Sequence, residues 1–287
     1  MREQIIDSMQ QKGDLPPLPK ILLELQKLKN DPDCNVDDVC RLIKSDMVLT
    51  GKLVTLSNTV FFSGGREKAE NIEEAIVRLG IKMVLDLCYC VEVPKAFKEI
   101  KSFDQTQFWK HSLAVSYLTR LLTNELLEDE DSLEASFLSG LMHDVGILVF
   151  DYLISESYYD FLHTKDIDNS DQSLESLELA TFGIDHQELG AMFLKKWWEM
   201  PPIVIGAVSS HHKDNIDDGK TITLAEILSA ANKLANENEI SHPISTRYKD
   251  TTSEDFIKKA GLSLEELENF IDQAKLGILA FDCLFES

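Results

Sequence analysis

The feature that most constrains this chain is an apolar spacing of three and four residues that recurs from one end to the other. Leu18, Ile21, Leu22, Leu25 and Leu28 form one stripe, stopped by Asn30-Asp31-Pro32, and Val36, Val39, Cys40, Ile43 and Met47 form the next. Residues three or four apart share one face of an α-helix, so each stripe predicts a helix with one side against a core. A third helix is expected from Asn71, with Glu74 as its capping-box partner. It carries Ile76, Leu79, Met83 and Leu87, and Pro94 ends it. Ser63-Gly64-Gly65 reads as a turn.

A second group follows. Phe108, His111, Val115, Leu118 and Leu122 run along one helix, and the acidic loop Glu128–Asp131 separates it from a nearly all-apolar helix around Leu133–Phe150. A helix apolar on all sides belongs in the centre of a fold. Asp185 and Glu188 read as another capping box, opening a helix with Leu189, Phe193 and Trp197. Pro201-Pro202 breaks that helix and opens one toward His211. A helix near Leu224–Asn236, a polar loop near residues 239–252 and a helix from the Ser263 capping box through Phe270, Ile271, Ala274, Ile278 and Phe281 complete the chain. No alternating strand pattern of useful length occurs, so the expected fold is all-α.

The net charge of -22 in 287 residues comes from acids scattered along the whole chain. Such a field repels phosphate backbones and anionic lipid, which argues against DNA, RNA and membrane surfaces as partners. No stretch approaches the roughly 18 uncharged apolar residues of a membrane helix. The opening MREQIIDSMQQKGDLPPLP has no apolar h-region of a signal peptide. The 5 cysteines include no C-x-x-C pair and read as reduced thiols of a cytoplasmic protein.

The histidines carry the chemistry. His111 lies on the apolar stripe of its helix, and His143 and Asp144 sit side by side within the most hydrophobic stretch. His186 shares a face with Leu189, Gly190 and Phe193, while His211 follows Ile203 and Ala207 on an inward face, with His212 beside it. A buried aspartate needs a strong partner. Inward imidazoles around one carboxylate suit Fe, Mn or Zn. A lone inward histidine is more often a hydrogen-bonded core residue, so the signal lies in four separate helices each aiming one inward. His163 and His242 stand in polar surroundings and read as surface residues.

The hexapeptide Leu141-Met142-His143-Asp144-Val145-Gly146 resembles the motif that names the HD superfamily of metal-dependent phosphohydrolases. The wider pattern is similar to its HDOD branch. Leu15-Pro16-Pro17-Leu18-Pro19, the run Leu53–Phe62, Ala75-Ile76-Val77-Arg78-Leu79-Gly80 and Phe108-Trp109-Lys110-His111-Ser112 lead up to that motif. His186-Gln187-Glu188-Leu189-Gly190 and Ala207-Val208-Ser209-Ser210-His211-His212 follow it. The resemblance spans roughly residues 15–213. It implies a helical subdomain over residues 1–100, an HD-like subdomain over residues 101–215, and, outside it, a helical tail over residues 216–287.

The same resemblance implies a role in bacterial signal transduction, as a regulatory or interaction domain related to the HD-GYP phosphodiesterases. It makes His111, His143 and Asp144 superfamily metal ligands, with Asp144 bridging two metals in the catalytic relatives. His186, His211 and His212 match further ligands of the HD-GYP proteins. Departures stand beside these matches. The catalytic relatives have lysine where this chain has Ile147, and a last aspartate ligand where Ser229-Ala230-Ala231-Asn232 offers Asn232. Lys213-Asp214-Asn215 stands where Gly-Tyr-Pro is expected. Three readings follow: a signalling module that binds signalling proteins, a metal-dependent phosphohydrolase of small phosphate esters or cyclic nucleotides, and a plain helical scaffold with a dry histidine cluster.

Overall fold

Every element of the computed structural model is a helix, and no strand occurs among the described residues. The structure describes residues 1–11, 15–29, 31, 33–97, 100–164, 172–213, 221–244 and 252–285, with backbone alone for 282–285. Asn30, Pro32, Asp214, Asn215 and half of the expected loop at 239–252 lie outside the described residues. The chain divides into two compact units: Met1–Leu15 with Glu99–Lys275, and Pro16–Lys98 with Leu276–Ser287.

The second unit contains α2 (Lys20–Lys29), α3 (Val36–Lys44), α4 (Met47–Ser57), α5 (Val60–Ser63), α6 (Ile72–Leu79) and α7 (Ile81–Ala96). The expected single helix from Asn71 to Pro94 is two. Asn71 does cap α6, accepting the Glu74 N–H at 2.9 Å, but Gly80 adopts φ 80° and turns the chain before α7 begins. Pro94 is then accommodated in the last turn of α7. Met47 does not extend the stripe of α3. It opens α4 behind the N-cap Asp46, which accepts from Val48 and Leu49 N–H at 2.9 Å, and it is 85% exposed. Asn58 holds Ala69 through both backbone groups, at 2.7 and 2.8 Å. Arg78 braces that corner on Ser57 O at 2.8 Å and Asn58 Oδ1 at 2.9 Å.

The first unit starts with α1 (Arg2–Gln11). It continues with α8 (Gln105–Leu126), α9 (Glu130–Met142), α10 (Val145–Leu162), α11 (Leu174–Phe182), α12 (His186–Lys196), α13 (Pro202–Val208), α14 (Leu224–Glu237) and α15 (Glu254–Ala260). It includes the start of α16 (Leu264–Phe285). Two of the expected boundaries are thereby corrected. Residues 1–15 group with the later helices because Ile5 and Met9 are buried and Arg2 pairs with Glu188 at 2.5 Å. That pairing also takes Glu188 out of its expected box, leaving Asp185 to cap α12 alone, at 2.8 Å from the Glu188 N–H. Residues 216–275 are not a separate tail, since α14 packs on α8 and α9 within this unit.

The apolar stretch expected as one helix around Leu133–Phe150 breaks at His143-Asp144, between α9 and α10. Asp144 leaves helical geometry at φ -100° and ψ 14°, and a tight turn closes from Ile147 N–H to Asp144 O at 2.9 Å. Residues Glu130–Leu162 have the length and hydropathy of a membrane span, but 83% of their most apolar window is buried inside the protein. Glycines let the neighbouring helices touch at backbone level. A Cβ on Gly140 would lie 2.5 Å from Ser116 Cα, and one on Gly146 would lie 1.9 Å from His186 O.

Gly146→Ala therefore cannot be absorbed by a rotamer change, because the obstacle is backbone. Urea unfolding of this variant should show a loss of about 3 kcal/mol, the upper end of ordinary overpacking. Gly206→Ala, whose added carbon meets nothing within 4 Å, should leave stability unchanged or raise it by up to about 1 kcal/mol. Equal stability of the two variants would contradict the close approach of α10 and α12.

Candidate metal centre

Asp144 sits at the helix break, 4% exposed, and imidazoles surround it. His143, the preceding residue, places Nε2 2.8 Å from Asp144 Oδ2. His211, just past the end of α13, places Nε2 3.2 Å from Oδ1. His186, the first residue of α12, places Nε2 3.5 Å from Oδ1. His111, midway along α8, lies with its ring centroid 5.4 Å from that of His143. His212 is half-buried, its ring 4.3 Å from His211 and 5.0 Å from His186. The ligand atoms form two groups in which all members lie within 4.8 Å of one another: Asp144 with His186, His211 and His212, and Asp144 with His111 and His143. The structure thus brings together every histidine and the aspartate expected from the sequence.

The other nitrogen of each ring is anchored. Nδ1–H donates from His111 to Ile240 O at 2.7 Å, from His143 to Gly140 O at 2.8 Å, and from His211 to Val208 O at 2.8 Å. His186 Nδ1–H donates to Glu178 Oε2 at 2.6 Å. Glu178 is itself fully buried, also accepting the His186 backbone N–H at 2.8 Å and the Tyr158 hydroxyl at 2.7 Å. A neutral imidazole has one N–H. With Nδ1 donating, Nε2 presents its lone pair, and the Nε2 atoms of His143, His186 and His211 turn toward the carboxylate. His143 Nε2 and His186 Nε2 are buried without a hydrogen bond. The Asp144 oxygens lie near them, yet neither contact is aligned as one. Orphaned, inward lone pairs beside a carboxylate fit a divalent cation.

Burial pushes the Asp144 carboxyl up, but His143 and His211 reverse that and hold it well below the usual carboxylate range. Burial and the neighbouring His143 press His111 down to about 4, and burial lowers His211 despite Asp144. Burial would lower His186 too, yet Glu178 overrides it and raises the ring to about 10. A carboxylate behind a histidine makes that ring a stronger base, as in carboxylate–histidine–metal triads.

The HDOD domain family matches residues 15–214 of this sequence. The chain belongs to the HDOD family. An uncharacterized protein of Treponema pallidum (strain Nichols) is 27% identical over 201 residues, covering 69% of this chain and 38% of that protein. This HDOD chain thus spans well under half the length of that curated relative. An HDOD domain protein of unknown function from Geobacter sulfurreducens has the same fold, with TM-score 0.79, 22% identity and coverage of 99% and 98% of the two chains. A Shewanella amazonensis SB2B protein described as a candidate phosphohydrolase follows at TM-score 0.75, 22% identity and 98% coverage of both.

The HDOD match ends before two residues that complete the cluster. Asn232, on α14, brings its side-chain amide to 3.0 Å from His111 Nε2, and its Oδ1 accepts from Asn236 Nδ2 at 3.3 Å. His242 corrects the sequence reading. Expected at the surface, it is 3% exposed and reaches within 3.7 Å of Asp144 Oδ2. Its polar neighbours misled, whereas Ile240 and Ile244 on either side were the inward signal. Glu178 was also missed. It stands one short helix and a glycine turn before His186, with no sequence pattern to mark it. His163 is exposed as expected, bonded to Tyr159 O at 2.8 Å.

The raised His186 pKa has a sign that can be tested. A group raised on folding stabilises fully below its ordinary value near 6.5 and loses that contribution as pH rises through about 10. Metal-free protein should therefore lose several kcal/mol of stability between pH 7 and 10. Glu178→Gln removes the anion but keeps the burial, so its His186 should titrate below 6.5 and the alkaline loss should vanish. Histidine NMR titration and pH-dependent unfolding of both proteins, after chelation, check it.

Proposed function

We propose that this chain is a regulatory module of bacterial signal transduction, acting through other signalling proteins in the cytoplasm, with a divalent metal in its interior and no phosphohydrolase turnover. His111, His143, Asp144, His186, His211 and His212 are the proposed ligands, and Fe, Mn or Zn suits their nitrogen and carboxylate donors. The observation that carries the metal is the shared orientation of three anchored rings, His143, His186 and His211, each with Nδ1 donating outward and Nε2 turned to Asp144. A bound dication supplies Lewis acidity. Around it, Glu178 fixes the His186 ring and Asn232 abuts His111.

Loss of turnover is supported by two side chains. Phosphoryl transfer needs cations aimed at the developing charge. Ile147, where the catalytic relatives have lysine, is 1% exposed and apolar, so it meets no phosphate charge. Asn232 supplies an amide where a carboxylate would add a negative ligand. The alternative, a metal-dependent phosphohydrolase of a small phosphate ester or cyclic nucleotide, is favoured by the sharing of Asp144 between two ligand groups.

Elemental analysis of protein purified without a histidine tag should find Fe, Mn or Zn, absent from an Asp144→Ala variant. Loaded with Mn²⁺ or Fe²⁺, the wild type should turn over a cyclic dinucleotide, a cyclic mononucleotide and p-nitrophenyl esters well below about 1 s⁻¹, the low end for working enzymes. Faster turnover that disappears in Asp144→Ala would replace the regulatory reading with the hydrolytic one. Protein that retains no metal would leave a satisfied core.

A further inference from the structure

His211 and His212 are consecutive, and consecutive side chains on a regular helix point about 100° apart. Both can face one centre only where the chain has left the helix, and α13 ends at Val208. Turns carry the chain onward, with Ser209 N–H donating to Ile205 O at 2.9 Å, Ser210 N–H to Ala207 O at 3.3 Å and Lys213 N–H to Ser210 O at 3.0 Å. The His212 N–H departs from that pattern. It donates to Gln187 Oε1 at 2.9 Å, on a different helix. A backbone N–H only donates, so the amide must turn its oxygen and not its nitrogen to it. Gln187 is a firm support for this bond. It is 4% exposed, second in α12 and next to His186. Asp185 caps that end of the helix. A Cβ on Gly190 would lie 2.9 Å from Gly146 N, so α12 is seated against the backbone of α10.

We infer, resting on the metal reading above, that Gln187 is the positioning residue that makes His212 a ligand. His111, His143, His186 and His211 are oriented through their Nδ1 atoms, whereas His212 is held through its main chain. That hold leaves the His212 ring 4.3 Å from His211 and 5.0 Å from His186. His212 belongs to only one of the two ligand groups, with Asp144, His186 and His211, and the group of Asp144, His111 and His143 does without it. Gln187 therefore governs one group and not the other. Without its oxygen, the turn after Ser210 is released to swing the half-buried His212 ring toward solvent. Four candidate ligands then become three.

The test is a zinc titration of metal-free full-length protein against a competing chelator, with nitrogen–proton NMR of the histidine rings in the zinc-loaded state. Gln187→Met keeps the length and bulk of the side chain and removes the acceptor, and Gln187→Glu keeps an acceptor oxygen at the same reach. Zinc affinity of the group containing His212 should fall about tenfold or more in Gln187→Met, as for loss of a residue that orients a ligand. It should match or exceed wild type in Gln187→Glu. His212→Ala should reproduce the weakening, and combining it with Gln187→Met should add no more than about twofold, because both act through one ring. In the wild type, zinc should shift a ring nitrogen of His212, a readout independent of any variant's folding. Gln187→Met should lose that shift while His111 and His143 keep theirs, which a general loosening of the fold would not produce. No zinc-induced shift at His212, unchanged affinity in Gln187→Met or His212→Ala, equal weakening of both groups, or full additivity would each overturn the positioning role and leave the metal centre standing. Wild-type protein that binds no zinc, iron or manganese would overturn both.

Discussion

A carboxylate buried at a break between two helices is the constraint on which the rest of this molecule depends. An ionised group taken out of water loses several kcal/mol of solvation unless partners replace it. Imidazoles approach both oxygens of Asp144 with their lone pairs inward, so a cation held among them would replace that solvation. Each imidazole can do so only if its other nitrogen is satisfied behind it. That requirement explains features otherwise unrelated: the carbonyls of Gly140 and Val208 left for His143 and His211, and the backbone of Ile240 carried to His111. It also explains the buried Glu178–Tyr158 pair behind His186.

Bringing these rings together demands helices closer than ordinary side chains allow. Gly140 lets α9 rest on the backbone of α8, and Gly146 does the same for α10 against the start of α12. The hydrogen at each position is thus a distance setting for His111, His143 and His186, all of which lie on these elements. Groups mounted on close-packed helices hold their geometry better than groups on loops. The histidine contributed by a loop, His242, compensates with hydrogen bonds along its own backbone.

Much of this was legible in the amino-acid order, for physical reasons that also mark where legibility stopped. Apolar periodicity reported the helices because burial selects one face, and it placed His111, His186 and His211 inward correctly. Periodicity does not register a single glycine turn, so Gly80 went unseen inside one long stripe and two helices read as one. It is equally blind to a helix break between apolar flanks, as at His143-Asp144, where both sides are buried. Glu178 and His242 escaped because a charged or polar residue in polar company reads as surface. Their burial is set by partners distant in sequence, Asp144 lying far along the chain from His242. The candidate ligands were local pattern, while the residues packed around them were tertiary.

The departures from the catalytic pattern acquire a common direction once the donor and acceptor roles are sorted. Ile147 removes a mobile cation, and Asn232 removes a negative charge. In a chain of net charge -22, the general field opposes any approaching anion, so affinity for a phosphate group has to originate within the centre. A dication held there by Asp144 and the imidazoles would supply that attraction, and by linkage anything that tightens the helices around it would raise its affinity by the same factor as the metal tightens them. A metal seated among them would draw together the helices that position His111, His143 and His186. Occupancy of a small interior site would thereby change how firmly these helices hold one another.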